Sequence, residues 1–358
     1  MYITVFKGVH MIEQQTVKSF FFNILNGMAL GIVIALIPGA LLGEVFKFLA
    51  RYSDIFTTLG SFLTMFSIGA SLIIGVLAGM NLKFNAPQTV ILAGAAFIGS
   101  GALKITPDGF LANGMGDLIN VLFTLFISAG VIYFIGNRLG SLNIVLLPVL
   151  GGIIPGAIGQ FILPYSKLVT GALGNAIAHF TELNPLLMTI LIATTYTLLL
   201  VTPISLVAVA TVTSLSGLAS GAANLGIVAA CYVFLFGALG VNNRGTITAL
   251  AIGTAKMMMA NYFKHPIIAV PLLINGIVIG ALGYFMNVQG TPMSAGFGYT
   301  GLVGPINSLQ FMDGETSVNI MKLAVAYFIV PFPFAYLVNK LCLNYLPGYN
   351  KENFIFKG

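Results

Sequence analysis

Three groups of polar residues interrupt an otherwise apolar sequence, and each carries chemistry that suits a small solute. The first lies in VNNRGTITALAIGTAKMMM, residues 241–259. The positive charges of Arg244 and Lys256 would suit an anionic or polyhydroxylated ligand. Asn242 and Asn243 would add amide donors, and Thr246 a hydroxyl. The alternative is a surface helix whose Arg244 and Lys256 side chains extend to one membrane interface. The sequence leaves both interpretations open.

The second group lies in GFGYTGLVGPI, residues 296–306, which holds four glycines and one proline. Glycine lets the main chain approach a ligand closely, and proline stops a helix. In hydrocarbon, irregular main chain is tolerated only where protein shelters it or where it lines a wet cavity. We therefore predict a re-entrant hairpin that binds substrate, with Gly296, Gly298, Thr300, Gly301, Gly304 and Asn307 as its binding residues. The alternatives are a turn outside the membrane and glycines packed between close helices.

The third group consists of an imidazole and two carboxylates at predicted helix ends. His179 and Glu182 are three residues apart in AHFTELNP, so on a helix they share one face and could move a proton or bind sugar hydroxyls. Glu315, in DGETSV, could accept hydrogen bonds from a polyol or carry a proton. The alternatives are a surface histidine and a solvated carboxylate that caps the next helix.

The other reactive residue types indicate no cofactor, no metal site and no catalytic residue. The two cysteines, Cys231 and Cys342, have apolar neighbours, which favours buried thiols over a disulfide or a metal site. The sequence has no phosphate-binding loop, dinucleotide fingerprint, HExxH motif or nucleophile elbow. A conventional membrane enzyme is therefore not indicated.

Membrane-spanning helices must position these residues. Charged residues make up 7% of the chain and hydrophobic residues 58%, whereas a soluble domain carries about a quarter charged residues. Long uncharged windows follow one another, and a helix needs about 20 residues to cross the lipid bilayer. The sequence therefore predicts an all-α polytopic integral membrane protein of roughly ten transmembrane helices.

The basic residues indicate membrane orientation and not nucleic-acid binding. The net charge is +6, but the lysines and arginines are scattered between the apolar windows. Lysines flank both ends of the apolar region, which places both termini in the cytoplasm. We expect a cytoplasmic amphipathic segment at 1–18 without a cleavable signal, a transport domain at 19–341 and a cytoplasmic tail at 342–358.

Two parts of the apolar region are loosely similar to each other. FIGNRLG at 134–140 resembles GVNNRGT at 240–246, and IPGAIGQFI at 154–162 resembles VIGALGYF at 278–285. The order is the same in both parts, which predicts internal repeats at 110–212 and 217–341. Chance similarity between glycine- and alanine-rich helices is the alternative. Transporters often hold their substrate at the interface between such repeats.

The segments GFGYTGLVGPI and NNRGTITALAIG, together with the glycine-rich spans, resemble a known family. From about residue 20 to 341 the chain is similar to enzyme IIC-like membrane proteins of the phosphotransferase system, of the PfoR type. The resemblance implies a sugar permease in a bacterial plasma membrane, often a homodimer, with separate IIA and IIB partners that deliver phosphate. The chain has no room for a fused IIB domain and lacks the Gly-Ile-Thr-Glu motif of glucose-type members. It is therefore expected to be at most the membrane subunit of a sugar phosphotransferase.

The combined expectation is a transporter that moves a small polar, sugar-like solute by alternating access. The alternative from a different class is a membrane sensor or regulator, as some PfoR-type members are described, which binds a ligand without moving it. A channel is the third interpretation.

Overall fold

The structure is a computed structural model that describes residues 16–136 and 138–356. Within that part of the chain, six helices are long and apolar enough to cross a membrane. A seventh candidate is a pair of helices bent by 46° at Gly69. Lys7 and Glu13 of the predicted N-terminal segment, and Asn137, lie outside the described residues.

The N-terminal half of the chain forms a first core, in which α1, α3, α4 and α5 pack together through apolar residues. Its elements are the helices α1 (Val17–Leu49), α2 (Asp54–Ile68), α3 (Ala70–Asn81) and α4 (Ala86–Ser100), the strands β1 (Leu103–Thr106) and β2 (Gly109–Ala112), and the helices α5 (Leu118–Ile135), α6 (Asn143–Leu147) and α7 (Ile154–Phe180). A 3-10 turn at Gly140–Leu142 and a π-helix at Pro148–Ile153 join α6 and α7 into one long run.

The C-terminal half forms a second core, in which α8, α13 and α16 surround α10. Its helices are α8 (Pro185–Leu199), α9 (Leu206–Val212), α10 (Gly217–Ala238), α11 (Arg244–Ile252), α12 (Met259–Lys264), α13 (Ala269–Phe285), α14 (Val303–Phe311), α15 (Thr316–Ala324) and α16 (Pro331–Tyr345). Short 3-10 helices lie at Ala255–Met258, Pro266–Ile268, Thr300–Leu302 and Lys351–Phe354, and a π-helix lies at Val325–Ile329.

Helix α10 is the axis of the second core. Within its most apolar stretch 94% of the residues are buried, and its sequence is apolar on every side, as expected of a helix inside a bundle. Its small residues let neighbouring main chains touch it. A Cβ atom at Gly226 would lie 2.2 Å from the carbonyl oxygen of Ala193 in α8. The neighbours of α10 are therefore held at main-chain distance.

The described residues contain fewer membrane-length helices than the roughly ten predicted. Helices α4 and α8 have 15 residues each and are too short for a full span. The main chain leaves the helical path at 200–205 and again beyond α11, so a long apolar window is not one span. The number of spans was predicted from the lengths of uncharged windows, and those lengths do not reveal where the helix breaks within a window. The repeats at 110–212 and 217–341 stay a prediction.

A short β-hairpin departs from the predicted all-α fold. Strands β1 and β2 pair in antiparallel register, with Leu103 opposite Ala112 and Thr106 opposite Gly109. The hairpin lies in the polar Gly/Pro stretch between α4 and α5, where the sequence favours a turn. It extends from the helical bundle and does not enter either core.

Residues 346–356, which we call the C-terminal segment, fold onto the end of α10. Phe354 is fully buried and packs edge-on against Phe234. The Lys351 ammonium donates hydrogen bonds to two main-chain carbonyl oxygens at that helix end, at 2.6 and 3.1 Å. Burial lowers the pKa of Lys351 from its usual value. Much of the predicted tail at 342–358 is therefore part of the second core.

Candidate functional site

The glycine-rich stretch belongs to a longer excursion, residues 286–311, which we call the hairpin segment. It leaves α13 and first meets the beginning of α10, where Ser220 Oγ donates to the Thr291 carbonyl oxygen at 2.8 Å. It then follows the helix until the Tyr299 ring stacks on Tyr232, with centroids 5.2 Å apart. At 1.5 Å per residue, these contacts are about 18 Å apart along α10. The first arm therefore reaches deep into the core.

Helix α14 brings the chain back to the level at which it entered. Ser308 Oγ donates to the Gln289 carbonyl oxygen at 2.6 Å. Asn307 Oδ1 accepts from the Thr291 main-chain nitrogen at 3.0 Å and from its hydroxyl at 3.2 Å. The predicted binding residue Asn307 thus ties the two arms together, and the hairpin is closed by hydrogen bonds between its own side chains and main chain.

The turn of the hairpin, residues 298–302, requires glycine. Gly298 and Gly301 have φ values of +59° and +58°, which other residues rarely adopt. A Cβ at Gly301 would lie 1.6 Å from the Ala40 carbonyl oxygen of α1. Leu302 also has a positive φ, +59°, which is uncommon outside glycine and stores strain of the kind found at ligand sites. The turn is therefore pressed directly against α1.

Three interruptions of helical main chain, including this turn, are linked by hydrogen bonds, and we call them the break cluster. Thr300 Oγ1 donates to the Gly253 carbonyl oxygen at 3.2 Å. Lys256 Nζ donates to the Ile204 carbonyl oxygen at 2.8 Å. These two bonds join the turn to the second break and the second break to the first. The breaks are residues 200–205, 253–258 and 298–302.

One face of α10 closes the break cluster. It is formed by Asn224, Ile227, Val228 and Cys231, which are spaced three or four residues apart as one helix face requires. Asn224 Oδ1 accepts from the Gly298 main-chain nitrogen at 3.1 Å. Its Nδ2 is buried and has no hydrogen-bond partner among the described residues. Since an unpaired buried donor costs about 1–3 kcal/mol, a ligand acceptor at this nitrogen would be stabilising.

Lys256 is the cation whose hydrogen bond lies within the break cluster. Between Glu182 and Asp313 the sequence holds no acidic residue, while it holds Arg244, Lys256 and Lys264. Lys256 is partly buried, and none of the described carboxylates forms an ion pair with it. The cluster therefore offers donors and a cation that has no ion-pair partner among the described residues.

The structure does not bring the predicted residues 242–246 to the turn. Arg244 is exposed at the beginning of α11, whose other end meets the turn, so about 13 Å of helix separates the two. Asn243 Oδ1 accepts from the Thr246 main-chain nitrogen at 2.8 Å, and it caps α11. Their positions are explained by helix formation.

Asn242 holds the C-terminal segment. Its Nδ2 donates to the Phe354 carbonyl oxygen at 2.7 Å, and its Oδ1 accepts from the Phe356 main-chain nitrogen at 2.7 Å. Both ends of this amide are therefore occupied within the protein.

The three predicted proton-linked residues lie at exposed helix ends. His179 Nδ1 is 3.6 Å from Glu182 Oε2 near the end of α7, and both side chains are 75% exposed. Glu315 is exposed at the N-cap position of α15 and makes no side-chain capping bond. The structure therefore places all three on the surface and not in the break cluster.

Sequence reasoning missed Asn224, and it considered Lys256 only together with Arg244, either as a cation for an anionic ligand or as a residue at the membrane interface. Asn224 is an isolated polar residue within an apolar helix, and that pattern is itself a signal, because buried polar groups in membrane helices are costly. Its partner Gly298 lies 74 residues away, a pairing that the sequence does not reveal.

A comparison with protein families gives one match. A family described as "Phosphotransferase system, EIIC" matches residues 22–356, which include both cores and the break cluster. No curated protein and no solved structure matches the chain. The match confirms the family that the sequence resembles, while the PfoR subtype stays a prediction.

Proposed function

Because the chain belongs to the phosphotransferase-system EIIC family, whose members are membrane components of sugar transport, we propose that it moves a small polar solute by alternating access. The break cluster is its substrate site. The observation that carries this proposal is that two stretches of irregular main chain, 253–258 and 298–302, lie on the buried helix α10, and Lys256 links the third, 200–205, to them. Irregular backbone in a membrane must be sheltered or line a cavity, and transporters form substrate sites from broken helices.

The hairpin segment is, in this proposal, a re-entrant element. Its two arms begin and end at the same level of α10, and the turn between them lies deep in the protein. Glycines at 296, 298, 301 and 304 let the main chain of the hairpin pack closely against its protein neighbours, so that the turn can lie within the core. Thr300 and the free amide nitrogen of Asn224 supply hydrogen bonds to solute hydroxyls.

The two cores supply the moving parts. The turn contacts α1 of the first core through Gly301 and α10 of the second core through Gly298. A rocking motion of one core against the other would open the break cluster first to one side and then to the other. Such rigid-body rocking around a fixed site is the usual form of alternating access.

The proposal extends to the setting of the protein. Family membership supports a sugar-type substrate and IIA and IIB partners. We place the chain in a bacterial plasma membrane as a homodimer with both termini in the cytoplasm, and the separate partners then act on the cytoplasmic side.

Solute counterflow in proteoliposomes tests the proposal without the need for partner proteins. Vesicles are loaded with unlabelled sugar, and uptake of the labelled sugar is measured over a panel of sugars and sugar acids. We expect saturable uptake that Thr300→Val reduces about tenfold, the effect of losing one hydrogen bond to a bound group. Thr248→Val is the matched control, because Thr248 is exposed on α11, and it should leave uptake unchanged.

Two results would overturn the proposal. Ligand binding without any counterflow would indicate a sensor, and flux that never saturates would indicate a channel.

A further inference from the structure

Lys256 is a charged residue that neither helix formation nor an ion pair explains. Its ammonium group has three hydrogens, and one bond to the Ile204 carbonyl oxygen accounts for one of them. The residues that follow it, Met257, Met258 and Met259, are buried and apolar. A cation in such surroundings is unfavourable unless a counter-charge neutralises it.

Among the described residues, no carboxylate forms an ion pair with Lys256. Every described carboxylate lies before Leu183 or after Met312, and the printed sequence between these residues is free of acids. The nearest groups to the break cluster are main-chain carbonyls, hydroxyls and the amide of Asn224. A carboxylate that binds from outside the chain would therefore stabilise the Lys256 ammonium.

We propose that Lys256 binds the carboxylate of the solute, so that the transported class is sugar acids and not neutral sugars. This inference rests on the proposed function, because it names the substrate class of the same site. One lysine balances the single charge of a carboxylate, whereas a phosphate ester carries close to two negative charges and would leave one unbalanced. The free Asn224 amide then donates to a hydroxyl of the same molecule.

Paired ligands test the inference on the unmodified protein. Thermal unfolding of the purified protein in detergent is followed by far-UV circular dichroism with gluconate against glucose, galactonate against galactose, and glucuronate against glucose. We expect at least one acid to bind at least about tenfold more tightly than its neutral parent, since it forms a charge-assisted hydrogen bond. Equal or tighter binding of the neutral parents, no stabilisation by any acid, or stronger stabilisation by glucose 6-phosphate would overturn the inference.

Two lysine variants then assign the effect to one residue. Lys256→Met should abolish the preference for the acid, whereas Lys264→Met should keep it, because Lys264 is an exposed cation eight positions further on. Lys256→Arg keeps a cation and its hydrogen bonds, and it provides a folded comparison if the methionine variant does not fold. An acid preference that survives in Lys256→Met contradicts the assignment. A preference that Lys264→Met abolishes to the same extent as Lys256→Met also contradicts it.

Counterflow separates this inference from the proposed function. Saturable uptake of a neutral sugar that Lys256→Met does not affect would leave transport standing and overturn the sugar-acid assignment. Acid binding that depends on Lys256 without any counterflow would leave the sugar-acid assignment standing and overturn transport.

Discussion

Two buried asparagines, one in each core, have opposite hydrogen-bond environments. In the first core, Asn120 Nδ2 donates to the carbonyl oxygens of Gly99 and Gly159, and its Oδ1 accepts from Ser166 Oγ at 2.8 Å. In the second core, Asn224 accepts one hydrogen bond, and its Nδ2 has no partner among the described residues. The asparagine amide therefore has partners for both its nitrogen and its oxygen at position 120, but only for its oxygen at position 224.

The difference teaches how the two cores divide their roles. Asn120 joins the main chains of α4, α5 and α7, and a fully satisfied buried network of this kind rigidifies the helices that it connects. Asn224 lies where the helical main chain is broken, and its spare donor costs stability until a ligand accepts from it. We interpret the site around Asn120 as part of a scaffold and the site around Asn224 as the place where a ligand binds.

The largest expected effect comes from the same substitution at both asparagines. Asn120→Asp replaces a donor with an oxygen that faces two carbonyl oxygens, so we expect the free energy of unfolding to fall by about 3 kcal/mol or more. Asn224→Asp keeps the oxygen that accepts from Gly298, so the loss of stability should be clearly smaller, while ligand-induced stabilisation disappears. Thermal unfolding with and without ligand measures both.

Equal destabilisation by the two variants would break the comparison. It would mean that the Asn224 amide nitrogen already has a hydrogen-bond partner within the protein, as the Asn120 nitrogen does, and that it is not available to a ligand.

A third asparagine sharpens the comparison with an intermediate effect. Asn242 was expected to bind substrate, but both ends of its amide hold the C-terminal segment. Asn242→Ala should lower the free energy of unfolding by about 1–3 kcal/mol, because two main-chain groups lose a partner, and leave uptake per folded molecule unchanged. Asn243→Ala, which removes only a helix cap, should cost about 1 kcal/mol. Loss of uptake in a well-folded Asn242→Ala protein would instead indicate that Asn242 binds substrate.

The smallest effect is expected outside both cores. His179 Nδ1 and Glu182 Oε2 lie 3.6 Å apart with both side chains 75% exposed, and exposed contacts of this kind contribute little to stability. Glu182→Gln should change the free energy of unfolding by less than about 0.5 kcal/mol and leave counterflow unchanged at every pH. A changed pH dependence of uptake would instead support the proton-transfer role that their spacing suggests.

The sequence predicts the kind of structure at the site better than the partners of its residues. Four glycines and a proline within an apolar window were enough to predict irregular main chain at 296–302, because that requirement is local, whereas residues 303–306 of the same stretch already belong to α14. The bond from Lys256 to Ile204 spans 52 residues, and the bond from Gly298 to Asn224 spans 74. Such pairings depend on how helices pack, which hydropathy does not encode.

The same limit explains the residues whose predicted and observed surroundings differ. Asn242, Asn243 and Thr246 are polar within an apolar chain, which is equally consistent with a ligand and with a helix cap. Only the packed structure shows that a cap and the C-terminal segment use these groups. The number of spans differs for a related reason, since a break such as 200–205 leaves the average hydropathy of a window unchanged.

The position of the C-terminal segment in the chain also determines when α10 can complete its packing during translation. Asn242 leaves the ribosome 112 residues before the Phe354 carbonyl oxygen with which it bonds. During that interval α10 is already made, but its far end has neither its aromatic cover nor its final hydrogen bonds. The packing around the end of α10 is therefore among the last parts of the protein to form. All the membrane-length helices of the described residues are synthesised before the C-terminal segment can cover that end.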